Sequence, residues 1–217
     1  MKVSVFIVNP FAENCYILWQ EKGSDAMIVD PGMADSGERN AVDKFIAENE
    51  LKIRAVLLTH QHADHILSAQ YIAEKYDVDI SANFADNMLG NRLREQVAMF
   101  GLRCNSEPLV ATRNLEEGES LALCGENIKV LNVPGHSPGG LAFYLPDSGC
   151  AFVGDSLFAH SIGRTDLPGG DYSTLINSVA EKLLTLPDET VVYSGHGEST
   201  TIGDERRYNP YFALNYK

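Results

Sequence analysis

The chain has 217 residues, with 17 lysines and arginines against 30 aspartates and glutamates, for a formal charge of −13. That balance argues against a nucleic-acid binder built on a broad basic footprint and against adsorption to anionic membranes. A content of 44% hydrophobic and 22% charged residues excludes extensive disorder, and no apolar run approaches the roughly 20 residues of a bilayer span.

Taken in order, Val3 to Val8 alternates as a strand and has no cleavage site of a signal peptide. Cys15 to Trp19 and Ala26 to Val29 are strand-like, the latter stopped by Asp30-Pro31-Gly32. Ser36 to Asn49 carries helical spacing through Val42, Phe45 and Ile46. Ala55 to Leu58 reads as a buried strand, and Asp64 to Tyr76 as one helix with Ile66, Ala69, Ile72 and Ala73 on its apolar side. Within Asn83 to Val110 the spacing predicts a helix over Met88 to Phe100. A second strand group follows at Ser120 to Cys124, Asn127 to Val133, Leu141 to Leu145 and Cys150 to Val153. Tyr172 to Leu184 is helical, Val191 to Ser194 is a last short strand, and the aromatic stretch Tyr208 to Lys217 packs as a short helix or tail. Two strand groups, each followed by helices, predict two stacked sheets with helices outside. That is a four-layer αββα sandwich, of α+β class, in a single domain over 1–217. Cys15, Cys104, Cys124 and Cys150 form no CxxC pair. They read as reduced core thiols, which suits a cytoplasmic protein.

The six histidines carry the chemistry. Three fall in Thr59-His60-Gln61-His62-Ala63-Asp64-His65. His60 and His62 are two apart just past an apolar strand, so both rings can meet one metal. Asp64 and His65, at the start of the next helix, can face a second. His136 in VPGHSPGG, Asp155 in VGDS and His196 in SGHG each follow a strand end and a glycine. The donors total five histidines and two aspartates: His60, His62, Asp64, His65, His136, Asp155 and His196. That is too many for one tetrahedral ion and suits two metals sharing a carboxylate. Imidazole and carboxylate without thiolate favour zinc, iron or manganese. An incompletely filled pair of metals leaves room for a bridging hydroxide, a nucleophile available at neutral pH.

The run HQHADH resembles the HxHxDH signature of the metallo-β-lactamase superfamily, and VPGHSPGG, GDSLF and SGHG resemble its remaining ligand segments, in order. The resemblance implies that His60, His62 and His136 hold one metal, that Asp64, His65 and His196 hold the other, and that Asp155 bridges them. It also implies that Asp30 supports the site from behind; read alone, Asp30 is a turn residue before Pro-Gly. His160 matches no ligand position.

GDSLF with IGRTD, then GHGESTTIG with Glu205-Arg206 and Asn209-Pro210, resembles small bacterial hydrolases of glyoxalase II type. Such enzymes cleave acylglutathione thioesters, chiefly S-lactoylglutathione to lactate and glutathione, with two divalent metals, most often zinc, and with Asp64 and Asp155 catalytic by that match. The chain lacks the C-terminal glutathione-binding helical extension of the longer enzymes. Arg164 stands where a cation could contact substrate; its alternative role is an ion pair with Asp166 that shapes the loop. The same fold and a GRTD segment occur in mono-iron persulfide dioxygenases, which use His60 or His62 with His136 and Asp155 by that match. A nuclease, a β-lactamase and a non-catalytic metal carrier are further readings of the fold. The expected partner is a small-molecule thioester, with neither nucleic acid nor membrane involved.

Overall fold

Every residue of Leu141–Leu145 is buried: Leu141, Phe143 and Leu145 in one apolar cluster, Ala142 and Tyr144 in another. Successive side chains of a strand point to opposite faces, so such a strand needs cover on both. The computed structural model, which describes residues 1–102 and 107–213, provides that cover by stacking two sheets with helices outside each.

Strands β1 (Lys2–Val8), β2 (Glu13–Trp19) and β3 (Asp25–Val29) form an antiparallel meander. Helix α1 (Ser36–Glu48), N-capped by Asp35, crosses to β4 (Lys52–Leu57), which lies parallel to β3. Helices α2 (Ala63–Ile66) and α3 (Ala69–Tyr76) lead to β5 (Ile80–Ala82). Helices α4 (Asn87–Gly90) and α5 (Leu93–Met99) precede β6 (Arg113–Asn114), which completes a six-stranded sheet in sequence order. The second half contributes β7 (Ser120–Leu123), β8 (Glu126–Asn132), β9 (Leu141–Leu145) and β10 (Cys150–Gly154). A small hairpin of β11 (Leu157–Phe158) and β12 (Ser161–Ile162) follows, then α6 (Tyr172–Ser178) and β13 (Val191–Ser194). Last come β14 (Thr200–Thr201) and α7 (Ile202–Tyr208). The second sheet runs β14-β13-β10-β9-β8-β7.

Three apolar clusters make the four layers. Tyr16, Leu18, Met27 and Val29 meet Ile128, Val130, Phe143 and Phe152 between the sheets. Cys15, Ile17 and Ile28, on the opposite face of the same strands, pack with Val42 and Ile46 of α1 and Ile72 of α3. Ala151 and Val153 pack under Leu175 of α6 and Ile202 of α7. The αββα expectation holds.

Several elements differ from the sequence reading. The helix expected over Asp64 to Tyr76 is broken at Ser68, which is fully buried. Its amide donates to the Pro31 carbonyl at 2.9 Å and its hydroxyl to that of Met33 at 2.6 Å, so the turn after β3 takes the bonds a continuous helix would use. The helix expected over Met88 to Phe100 is two, α4 and α5; the Gly90 carbonyl accepts from Leu109 N at 2.9 Å. The helix from Tyr172 widens to a π turn over Val179–Leu183. Helix α7 was not predicted; after it, residues 209–213 pack as the expected tail with Phe212 buried, and positions 214–217 fall outside the described residues. The two- and three-residue strands β5, β6, β11, β12 and β14 are too short to show periodicity. Cys15 and Cys150 are buried, Cys124 is half-buried, and all three are free; Cys104 lies outside the described residues. Burial, then the nearby Glu13 and Asp30 carboxylates, push the Cys15 thiol well up. Burial lifts Cys124 and Cys150 to about 11, so these are inert thiols at neutral pH. Among the described residues no helix is long and apolar enough to cross a membrane.

Candidate metal centre

All seven predicted donors meet at one edge of the sandwich, where β4, β8, β10 and β13 end. The loop after β4 carries His60 and His62, and α2 carries Asp64 and His65. The loop between β8 and β9 carries His136, Asp155 follows β10, and His196 follows β13. His60 Nε2 lies 3.2 Å and His62 Nδ1 2.9 Å from His136 Nε2. His196 Nε2 lies 3.2 Å from Asp64 Oδ2, which is 3.8 Å from His65 Nε2. Asp155 stands between these two groups. Its Oδ1 is 3.4 Å from His65 Nε2, and its Oδ2 is 3.6 Å from His136 Nε2 and 3.5 Å from His196 Nε2.

The outer ring nitrogens set the tautomers. His136 Nδ1 lies 2.7 Å from the Arg164 carbonyl and His196 Nδ1 3.1 Å from that of Phe11; a carbonyl only accepts, so both Nδ1 atoms carry the proton. His65 Nδ1 lies 3.1 Å from Asp30 Oδ2. Thr59 donates its hydroxyl to Asp30 at 2.6 Å, which leaves Oγ1 to accept from His60 Nδ1 at 3.1 Å. In the neutral rings the Nε2 lone pairs of His60 and His136 therefore face each other. Bare lone pairs at that distance repel unless a cation lies between them. His65 Nε2 and Asp155 Oδ1 are buried with no hydrogen-bond partner, an arrangement that a metal ion would relieve. The donor set and its unsatisfied atoms fit a divalent cation.

The neighbouring charges act on the histidines in opposite directions. Burial, then the neighbouring His65, hold His60 well below the usual imidazole range, and burial with His136 brings His62 down to about 3. Burial opposes the His65 cation, but Asp155 and Asp64 together override it and raise His65. Burial likewise opposes the charge on Asp155, and His65, His136 and His196 hold that carboxyl far below its usual range. His65 and His196 likewise hold Asp64 below the usual carboxylate range against the effect of burial, so both carboxylates stay ionised at neutral pH and attract positive charge into the edge.

Asp30 is 99% buried and acts as more than a turn residue. It accepts from Thr59 N at 2.7 Å, from Thr59 Oγ1 and from His65 Nδ1. Asp30→Ala is expected to leave the Thr59 amide and the His65 ring proton unpaired, at about 1–3 kcal/mol each. Metal affinity should fall roughly 10–100-fold. Titrating metal into dialysed protein checks this, and an unchanged affinity would remove Asp30 from any supporting role.

The sequence reading missed Asp86, at the end of the 3₁₀ turn Phe84–Asp86. Fully buried, it accepts from Gln61 N at 3.2 Å, Ser137 Oγ at 2.7 Å and Gly139 N at 2.5 Å. It thus ties the loop carrying His60 and His62 to the loop carrying His136. Burial lifts its carboxyl, and those three donors pull it partway back. Nothing in a lone aspartate of an irregular stretch announces this role. Asp86→Ala is expected to weaken metal binding at His60, His62 and His136 by about tenfold, with the Asp64, His65 and His196 group less affected. Cobalt absorption at the two groups distinguishes them; equal weakening at both would contradict a local clamp.

Glu13 was also missed. Fully buried, with neither oxygen bonded, it lies 3.8 Å from His65 Nδ1, and burial pushes its carboxyl well up. Arg164 and Asp166 form a two-pronged ion pair, at 2.7 Å for both contacts. The pair is exposed and shapes the loop, while Arg164 also lines the cleft over the donors. His160 stands apart with an exposed side chain, its amide donating to Glu205 at 2.9 Å.

The cleft over the donors has a volume of about 270 Å³ and is walled by Phe11, Phe100 and Leu167. The profile of the Metallo-beta-lactamase superfamily matches residues 8–196. The chain is 41% identical to the protein named hydroxyacylglutathione hydrolase GloC of Haemophilus influenzae, over 100% of both chains. Among solved structures, the B3 metallo-beta-lactamase BLEG-1 superposes with a TM-score of 0.87 at 32% identity, covering 97% of this chain and 99% of that one. TTHA1623, crystallised in a di-iron-bound form, superposes with a TM-score of 0.85 at 38% identity, covering 97% of this chain and 100% of that one. By family profile, sequence and fold alike, the chain belongs to the metallo-β-lactamase superfamily, as a metal-dependent hydrolase.

Proposed function

We propose that the chain hydrolyses acylglutathione-type thioesters, S-lactoylglutathione to lactate and glutathione among them. The observation that carries the reading is the pair of donor groups on either side of Asp155, in a chain that matches a hydroxyacylglutathione hydrolase from end to end. His60, His62 and His136 would hold one divalent ion, Asp64, His65 and His196 a second, and Asp155 both. Zinc suits the donors best; iron and manganese also fit. Free, high-pKa thiols suit a reducing compartment such as the cytoplasm.

Bound there, two metal ions would supply Lewis acidity toward the thioester carbonyl and a water made nucleophilic near neutral pH. The chain's own groups position the reaction. Backbone carbonyls and Asp30 fix the rings from behind, which spares reorganisation during the reaction. Asp64, with its side chain 16% exposed, faces the cleft and can take a proton from the attacking water. The water oxygen joins the acyl carbon and the carbon–sulfur bond breaks. The departing thiolate is weakly basic, so no dedicated general acid is needed.

Steady-state hydrolysis of S-D-lactoylglutathione by metal-replete protein tests the proposal. An efficiency above roughly 10⁴ M⁻¹s⁻¹ is expected. A rate many orders lower would sink this substrate and turn attention to iron content and persulfide-dependent oxygen uptake.

A further inference from the structure

Beside the cleft over the donors lies a second cavity of about 170 Å³, walled by Met88 and Leu89 of α4, Met99 of α5, Phe100, Leu167 and Pro168. His62, Phe100 and Leu167 line both cavities, so they are two lobes of one cleft. Imidazoles and carboxylates face the first lobe, whereas thioether, aliphatic and ring groups dominate the second, with Arg92, Glu95 and Gln96 among its polar residues. Met88 is 48% and Met99 61% exposed. Clustered apolar side chains left in water beside a reaction centre mark a surface that a ligand covers. Thioethers on flexible stems adapt to the shape of what they cover.

A thioester has an arm on each side of its carbonyl. With the carbonyl at the metal donors, one arm enters the apolar lobe and the other follows the open rim. Glutathione carries carboxylates and an ammonium group, whose desolvation against methionine and leucine would be strongly unfavourable. The rim, where Arg164 lines the first lobe, suits that arm better. The acyl arm is left facing the apolar lobe. A lactoyl group, with its hydroxyl and single methyl, offers this lining little apolar surface to cover. We propose that the apolar lobe is an acyl-binding subsite, and that the chain favours thioesters of longer alkyl or aryl acids over lactoyl thioester. This inference rests on the thioesterase reading.

Two measurements test it together. Across acetyl-, butyryl- and hexanoylglutathione, kcat/KM is expected to rise by about 30-fold or more, since each buried methylene contributes up to roughly fourfold. Binding of unhydrolysable S-hexylglutathione should exceed that of S-methylglutathione by a similar factor. Met99→Glu puts a charge at the lobe from an exposed position and should lower the hexanoyl-to-acetyl ratio by about tenfold. Turnover of lactoylglutathione with no gain along the acyl series, or a ratio unmoved by Met99→Glu, would overturn the subsite and leave the hydrolase reading standing. Tight S-hexylglutathione binding without turnover of any thioester would support the lobe and remove the hydrolase reading.

Discussion

Asp155→Ala is expected to abolish both metal retention and turnover, with kcat/KM down by about 10³-fold or more, equivalent to roughly 4 kcal/mol of transition-state stabilisation. The size follows from its position. Its two oxygens reach His65, His136 and His196, so one side chain serves both donor groups. Its removal also takes away the negative charge that offsets crowded imidazoles, since His65 has Asp155 as the first of the charges that raise it. Metal analysis of the purified variant alongside steady-state assays checks the prediction. His160→Ala, a change at an exposed ring outside the cluster, is the control and should alter neither readout. Near-normal turnover by Asp155→Ala with both ions retained would show that the donor set is wrong.

A single methyl group at Gly195 should be nearly as damaging. A Cβ there would overlap Asp155 Oδ1 and sit 2.6 Å from His65 Cε1. The backbone cannot easily retreat. Gly195 N donates to the Gly154 carbonyl at 2.8 Å, and Asn14 N donates to the Gly195 carbonyl at 2.8 Å. The side chains must therefore give way, and a displacement near 1 Å of a catalytic group can lower rates about 100-fold. Gly195→Ala is expected to lose about that much activity and to bind metal weakly at Asp64, His65 and His196. The packing strain should stay near 1–3 kcal/mol, so the fold persists by circular dichroism. Wild-type activity in a folded variant would mean that the donors need not sit where they are found.

Much of this centre was legible because its residues are chemically uncommon and tightly spaced. Three histidines within six residues, then His136, Asp155 and His196 each after a strand and a glycine, declared both the donors and the edge they occupy. The short unbroken apolar runs of β2, β3 and β10 likewise declared strands, which the fold buries on both faces. What stayed hidden depends on distant partners. Ser68 breaks a helix because its hydroxyl finds the Met33 carbonyl, a contact 35 residues away in sequence. Asp86 clamps two loops through Ser137 and Gly139, 51 and 53 residues away. Helical spacing carries no trace of either bond. Arg164 was open between two roles, and its pairing with Asp166 appears only once the loop is folded.

The donors are shared unevenly between the two halves of the chain. His60 and His62 join His136 across the seam, and Asp64 and His65 join His196 across it. With the proposed assignment, each ion takes two ligands from the first half and one from the second, and Asp155 adds another from the second. Neither half alone completes a coordination shell, so metal uptake and docking of the halves are thermodynamically linked. An ion present at a thousandfold its dissociation constant, bound only by the docked form, would stabilise it by about 4 kcal/mol. That is a large part of the 5–15 kcal/mol or so that separates a typical folded domain from its unfolded chain. Metal supply would then govern the lifetime of the protein as well as its rate of turnover.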